Sequence, residues 1–246
     1  MALIEELERS GNWLFRWRSY LPILLIALYL SVLRDYEYPG HSEQLHQVWG
    51  VLCLLISAIG LLVRSYTVGH TPAGTSGRNT KRQVAESLNK TGAYSIVRNP
   101  LYLGNFIMGL GVSLFAHVWW LVMIYVLVWW IYYERIIFAE EAFLRRKYGE
   151  EYLRWAEVTP ILIPNFRLFR KSDLRFSMRN VLKREYNGFF AVIVILFVFE
   201  CVGDYFVKSK LEIDPMWSVL LAGGFAVWIV LLALKRYTSL LDIEGR

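Results

Sequence analysis

Thirty-three consecutive residues, 101–133, carry no Asp, Glu, Lys or Arg. As one helix the run would reach about 50 Å, well beyond the roughly 30 Å of a bilayer's hydrocarbon layer. Two full crossings would need about 40 residues and a turn. The stretch "GLGVSLFAH", residues 109–117, offers a break in the middle. A tight helical hairpin is therefore expected, one that need not cross fully. A chain that must bury such a hairpin belongs in a membrane.

Four further apolar runs read as plain spanning helices: about 20–33, extended backwards over 14–17, then 48–63, 188–202 and 216–234. The expected fold is an all-α integral membrane protein of four spanning helices plus the central hairpin, about six hydrophobic segments. No Ser/Gly/Pro linker and no internal repeat divides it, so residues 1–246 read as a single membrane domain. A hydrophobic share of 56% with ten tryptophans agrees. The opening "MALIEELERSGNWLFRWRSY" begins with acidic residues and has no small-residue cleavage site, so it reads as no signal peptide. Trp13, Trp17 and Tyr20 beside Arg16 and Arg18 suit an interfacial anchor instead.

Positive charge orients the helices. Of the 27 lysines and arginines, 24 fall before the first apolar run, in 64–100, in 134–187 or after 234. The positive-inside rule then expects both termini and both long loops at the cytoplasmic face. The net charge of +6 reads as topology and leaflet contact, with no nucleic-acid partner implied. Cys53 and Cys201 lie in apolar runs and read as small hydrophobes. His41, His46, His70 and His117 are scattered without ligand spacing, so no metal site is expected.

The chemistry gathers in the polar loops. The first half of 64–100 is glycine-rich and reads as irregular backbone. In 134–165, Glu134, Glu140, Glu141, Glu150 and Glu151 alternate with Arg135, Arg145, Arg146 and Lys147. One reading is a solvated helix with ion pairs such as Glu141–Arg145. Glu134, Glu140 and Glu141, however, continue directly from the apolar hairpin. Carboxylates at that depth are costly unless they face a polar cavity or a partner. Arg98, at the start of the hairpin, is the natural partner, because a hairpin brings its two ends together.

"TGAYSIVRNPLYLG", residues 91–104, resembles the signature of the isoprenylcysteine carboxyl methyltransferase and phospholipid methyltransferase superfamily, which ends R-[HN]-P-x-Y-x-G. "EEAFLRRKYGEEYLRWAEVTPILIP", residues 140–164, is similar to its companion motif: an acidic pair, then L-x-x-x-[FY]-G-x-x-Y and a proline segment. The resemblance covers 86–164, which would form the methyltransferase core. It leaves 165–246 as a basic segment, 167–186, suited to an amphipathic helix on the leaflet, and two extra C-terminal helices.

That resemblance implies an S-adenosylmethionine-dependent membrane methyltransferase whose cofactor pocket lies where the loop before the hairpin meets the acidic helix after it. Glu86, Ser87, Leu88 and Asn89 would supply backbone contacts and Tyr94 a side wall. Asn99, Pro100, Leu101 and Tyr102 would line the cofactor, and Glu140 or Glu141 would complete the pocket. Three positions depart from close carboxyl methyltransferase relatives. Asn99 and Glu86 stand where those have histidine, and Arg135 stands slightly out of register with an arginine that precedes the acidic pair.

Residue chemistry supports the same corner. Glu140 or Glu141 can accept from a ribose diol, and Arg98 can grip a carboxylate in bidentate fashion. Tyr94 and Tyr102 offer aromatic faces to a sulfonium. Arg98, Glu140 and Glu141 are thus the expected catalytic residues. A site at the bilayer's lip expects a lipid or lipidated acceptor. An anionic oxygen, on a lipid phosphate such as that of a lipid A-type glycolipid or on a prenylcysteine carboxylate, needs cations nearby. Arg78, Lys81, Arg82, Arg135, Arg145, Arg146 and Lys147 are available. An amine acceptor, as in phospholipid N-methylation, needs a base, and only His70 offers itself. A non-catalytic scaffold or a transporter stands as the competing class, although a transporter would place its charges near the midplane.

Overall fold

The structure, a computed structural model, describes residues 2–18, 20–72, 74–75, 85–243 and 245. Among these the chain is all helix, turn and loop. In order it forms α1 (Leu3–Trp17), α2 (Leu21–Val32), α3 (Glu43–Gly69), α4 (Ala93–Ile96), α5 (Pro100–Phe115), α6 (Trp119–Tyr148), α7 (Glu150–Val158), α8 (Met178–Lys208) and α9 (Pro215–Tyr237). Short 3-10 turns sit at Leu33–Asp35, Pro39–His41 and Phe166–Leu168. The protein is an all-α membrane protein: α3, α6, α8 and α9 are each long and apolar enough to cross a bilayer.

Local chemistry sets the helix ends. Ser42 Oγ accepts from Leu45 N at the start of α3, and Ser177 Oγ from Asn180 N at the start of α8. Asp214 Oδ1 accepts from Met216 N at 2.7 Å, with Pro215 in the first position of α9. Pro100 opens α5 in the same way.

The hairpin forms, with its turn at 116–118, where His117 takes a φ of +58°. Its arms are unequal. α5 has 16 residues, about 24 Å, whereas α6 has 30, about 45 Å, and carries the acidic residues out of the apolar zone on an unbroken helix. α6 stops at Gly149, whose φ of +52° turns the chain into α7.

α5 packs most intimately on α3. A Cβ on Gly111 would overlap Ser57 Oγ and Cys53 O, and one on Gly60 would overlap Met108 N. Small residues in this seam let two backbones touch, the main source of helix association in lipid. The apolar core sits at one end of the bundle, around Tyr29, Leu33, Phe115, Leu121, Leu196, Phe199 and Trp217. Tyr29 and Phe199 stack there with ring centroids 5.7 Å apart. The same end gathers the loops after α2, α5 and α8: Lys208 Nζ reaches Glu43 Oε1 at 2.6 Å, and the Trp49 and His117 rings lie 4.6 Å apart. The other end carries 70–72, 85–99 and 149–177.

Two expectations are corrected. The first apolar run does not extend back through 14–17. α1 is a separate helix at 71° to α2, because its charged residues Glu5, Glu6, Glu8 and Arg9 suit the polar half of α6 better than hydrocarbon. Gly11 lies directly against the Arg135 backbone, and Arg146 pairs with Glu8 at 2.7 Å. The basic stretch 167–186 likewise forms no leaflet helix of its own. Its first part runs as a 3-10 turn and extended chain bound to the loop before α5, and its last part is the start of α8.

Candidate functional site

The two motifs meet through the backbone. The chain after α7 runs antiparallel to the segment before α5 and is sewn to it at three levels. Arg98 N donates to Pro160 O at 2.8 Å, Asn165 N to Ile96 O at 2.9 Å, and Gly92 N to Arg170 O at 2.9 Å. Asn99 Nδ2 adds a bond to Ile161 O at 3.2 Å, and Trp155 Nε1 donates to Tyr94 O at 3.2 Å. Pro100 cannot donate and sits in the first turn of α5, where no partner is needed. The hinge 94–100 is thus held from outside by the second motif.

That hinge delivers Arg98 to α6. Arg98 Nη1 lies 3.0 Å from Glu141 Oε1 and 3.1 Å from Oε2, with both side chains largely buried. Arg98 Nε is also buried and has no hydrogen-bond partner among the described residues. The phenol of Tyr152, from α7, sits beside the pair, and burial with Glu141 next to it raises its pKa. Because consecutive residues on a helix point about 100° apart, Glu140 faces elsewhere. It meets the Tyr102 hydroxyl from α5, with Arg18 contributing positive potential. One glutamate therefore serves the arginine corner and the other a tyrosine wall. The Tyr102 and Tyr133 rings lie 4.7 Å apart, tilted at 48°, and Tyr133 continues to Trp129 at 4.9 Å.

The loop before the hinge closes a further side. Ala85 O accepts from the Tyr148 hydroxyl at 2.7 Å and from Lys147 Nζ. Lys90 pairs with Glu151 at 2.5 Å. These bonds lay 85–91 across the ends of α6 and α7. Glu86 and Ser87 are exposed, while Leu88 and Asn89 are half-buried. Burial, with Glu140 nearby, pushes the Tyr94 phenol up to about 12, so it stays neutral. Leu101 is half-buried at the start of α5.

Other expected residues fall away from this corner. Arg135 Nη1 bonds Ser10 Oγ on α1 at 3.0 Å, and Glu134 is exposed. Arg145 and Arg146 are exposed. His70 bonds Tyr66 O with Nδ1 and packs against Phe176 behind the hinge. Arg78, Lys81, Arg82 and most of the glycine-rich stretch lie outside the described residues.

A polar chain missed at the level of sequence runs beneath the site. Arg64, on α3, forms a bidentate pair with Glu185 of α8 at 2.7 and 2.8 Å. Its Nη1 reaches Asn105 Oδ1 at 2.7 Å, and Asn105 Nδ2 donates to the Tyr133 hydroxyl at 2.9 Å. Half of the signal was present: Arg64 is a lone charge at the end of an apolar run and needs a partner there, whereas Glu185 follows Lys183 and Arg184 and does not stand out.

Beside Arg98 opens a groove of about 790 Å³, with Thr159, Pro160, Pro164 and Asn165 among its walls. Its lip is apolar and exposed: Val158, Ile161, Ile163 and Phe166 all face outward. The arrangement offers a charged, partly unsatisfied corner beneath a greasy edge.

Comparison with known proteins gives the following. Residues 45–151 match the phospholipid methyltransferase family. The nickel-cobalt-cadmium resistance protein NccN of Alcaligenes xylosoxydans xylosoxydans is 32% identical over 160 residues, covering 64% of this chain and 67% of that one. A protein-S-isoprenylcysteine O-methyltransferase of Saccharomyces cerevisiae is 25% identical over 152 residues, 60% of this chain and 64% of the relative. One of Schizosaccharomyces pombe is 29% identical over 114 residues, 44% and 48%. The chain thus spans about two thirds of the length of the first two relatives and about half of the third. No solved structure matches.

Proposed function

Since the chain belongs to the superfamily of membrane methyltransferases that includes the isoprenylcysteine carboxyl methyltransferases and the phospholipid methyltransferases, we propose that it transfers a methyl group from S-adenosylmethionine to the polar head of a lipidic acceptor. The observation that carries this reading is the Arg98–Glu141 corner, pinned by Pro160 and open beside an apolar lip. Relatives named as methyltransferases support the class of reaction; the cofactor and acceptor are inferred from the chemistry of the residues.

The residues suit the donor. Among the described residues Arg98 Nε is buried and unpaired, a group that burial penalises unless an acceptor arrives. A carboxylate of S-adenosylmethionine would provide that acceptor. Glu140 can accept from a ribose hydroxyl, and the Tyr102 and Tyr133 faces favour a cationic sulfur. The bound donor supplies an already activated methyl group. The protein's part is then to orient, desolvate and admit the acceptor from the side. Backbone groups freed at Pro100 are bound by the 159–165 segment, so the hinge is stable at membrane depth.

For the acceptor, an anionic oxygen fits best. It needs no base, and the described residues around the corner offer no histidine to act as one. A lipid phosphate and a prenylcysteine carboxylate both meet that requirement. The similarity to a metal-resistance protein fits the phosphate branch, because methylating an anionic oxygen removes a charge that would hold a divalent cation. Lipidomics of cells with and without the gene tests the proposal. A lipid class carrying an added methylene mass only when the gene is present is expected; methylation confined to amine headgroups would move the acceptor to nitrogen, and no methylated lipid or lipidated protein would end the reading.

A further inference from the structure

The bundle's opposite end holds a second polar cluster, which methyl transfer does not use. His46, near the start of α3, lies 18 residues from Arg64, about 27 Å along the helix. Its Nε2 is 2.8 Å from Glu200 Oε2 on α8. Asp204 stands one helical turn beyond Glu200 on the same face. One nitrogen or oxygen from each of the three lies within 4.8 Å of the other two. All three residues are at most 3% exposed.

Their surroundings are built rather than incidental. The Tyr36 hydroxyl is 2.8 Å from His46 Nδ1, and the Tyr38 hydroxyl donates to Asp204 Oδ1 at 2.6 Å. The Tyr38 ring stacks over the imidazole at 4.8 Å. Lys208 Nζ reaches Asp204 Oδ2 at 3.2 Å, but it is shared with Glu43 at 2.6 Å and Glu212 at 3.5 Å. Of the two buried carboxylates, Asp204 thus has part of one lysine and Glu200, among the described residues, has only the imidazole. With a neutral imidazole the cluster holds excess negative charge in a buried place, where burial favours a compensating cation. Glu37, Glu43, Glu212 and Asp214 surround the same end and bring cations toward it.

We propose that His46, Glu200 and Asp204 are the ligands of a divalent transition-metal site. An imidazole with two carboxylates is a donor set for ions such as Zn²⁺, Ni²⁺ or Co²⁺, whereas Ca²⁺ and Mg²⁺ prefer oxygen alone. The metal replaces the hydrogen bond between His46 and Glu200. The imidazole binds through Nε2 as its Nδ1–H tautomer and donates to Tyr36, which fixes the ring. Asp204 exchanges Lys208 for the metal.

The test is visible absorption of Co²⁺ titrated into the detergent-purified full chain after removal of any affinity tag. One equivalent is expected to develop ligand-field bands that Zn²⁺ abolishes and Mg²⁺ leaves unchanged. His46→Gln and Glu200→Gln, checked for folding by circular dichroism, each weaken binding at least 10-fold, and Tyr36→Phe by about 10-fold. Lys208→Met, which frees Asp204, tightens it. Absence of bands in the wild-type protein overturns the proposal without recourse to any variant. Bands that persist in folded His46→Gln overturn it equally, as does weaker binding in folded Lys208→Met.

Discussion

Arg98 and Glu141 stand 43 residues apart in sequence and 3.0 Å apart in space, joined by the hairpin of α5 and α6. The pair fixes where the second motif docks, since the backbone of Arg98 is itself bonded to Pro160. Arg98→Lys is therefore expected to lower affinity for S-adenosylhomocysteine at least 10-fold, about 1.4 kcal/mol, because a point charge cannot serve Glu141 and a ligand carboxylate together. Calorimetry of the folded variant checks this, and wild-type affinity would contradict it.

Glu140 and Glu141 divide their work, so their variants separate. Glu140→Gln is expected to weaken cofactor binding while leaving the Arg98 corner intact. Tyr102→Phe has a smaller effect of the same sign, since its hydroxyl meets Glu140 alone of the pair. Comparing KM for the methyl donor with kcat in both variants reads this out; equal losses in kcat with unchanged KM would assign Glu140 to another role.

The Arg64–Glu185 pair is largely buried and bidentate. Glu185→Leu alone leaves the guanidinium without its carboxylate and should destabilise the protein by about 3 kcal/mol. Adding Arg64→Met recovers most of the loss, because an apolar pair carries no desolvation cost. Thermal unfolding in detergent measures both, and equal Tm values for the single and double variants would contradict the reasoning.

At the α3–α5 seam, Gly111→Val drives a side chain into Ser57 and the Cys53 carbonyl. Overpacking of this kind costs about 1–3 kcal/mol or more. A chain of this size loses about 2–4 °C of Tm per kcal/mol. An unchanged Tm would show that the seam can open.

Much of this was legible in one dimension. The charge-free run 101–133 implied a hairpin, and a hairpin implied that Arg98 would meet the acidic residues that follow it. Helical period alone could not say which glutamate faces which partner, because that depends on how α6 is rotated against α5 and α1. Nor could it see the bend between α1 and α2, which follows from α1 packing on the polar half of α6. In the sequence His46 stands isolated; Glu200 lies 154 residues away, and only the packing of α3 against α8 joins them. Long-range contacts between separate helices leave no local period to read.

The proposed binding of S-adenosylmethionine in the corner of Arg98, Glu141, Tyr102 and Glu140 predicts a gain in stability with the ligand. Thermal unfolding of the purified wild-type protein with S-adenosylhomocysteine measures that gain. At 100 times the dissociation constant the ligand should stabilise the fold by about 2.7 kcal/mol, with the shift lost in Arg98→Lys and Glu140→Gln. No shift at any ligand concentration, or an equal shift in those variants, would contradict it.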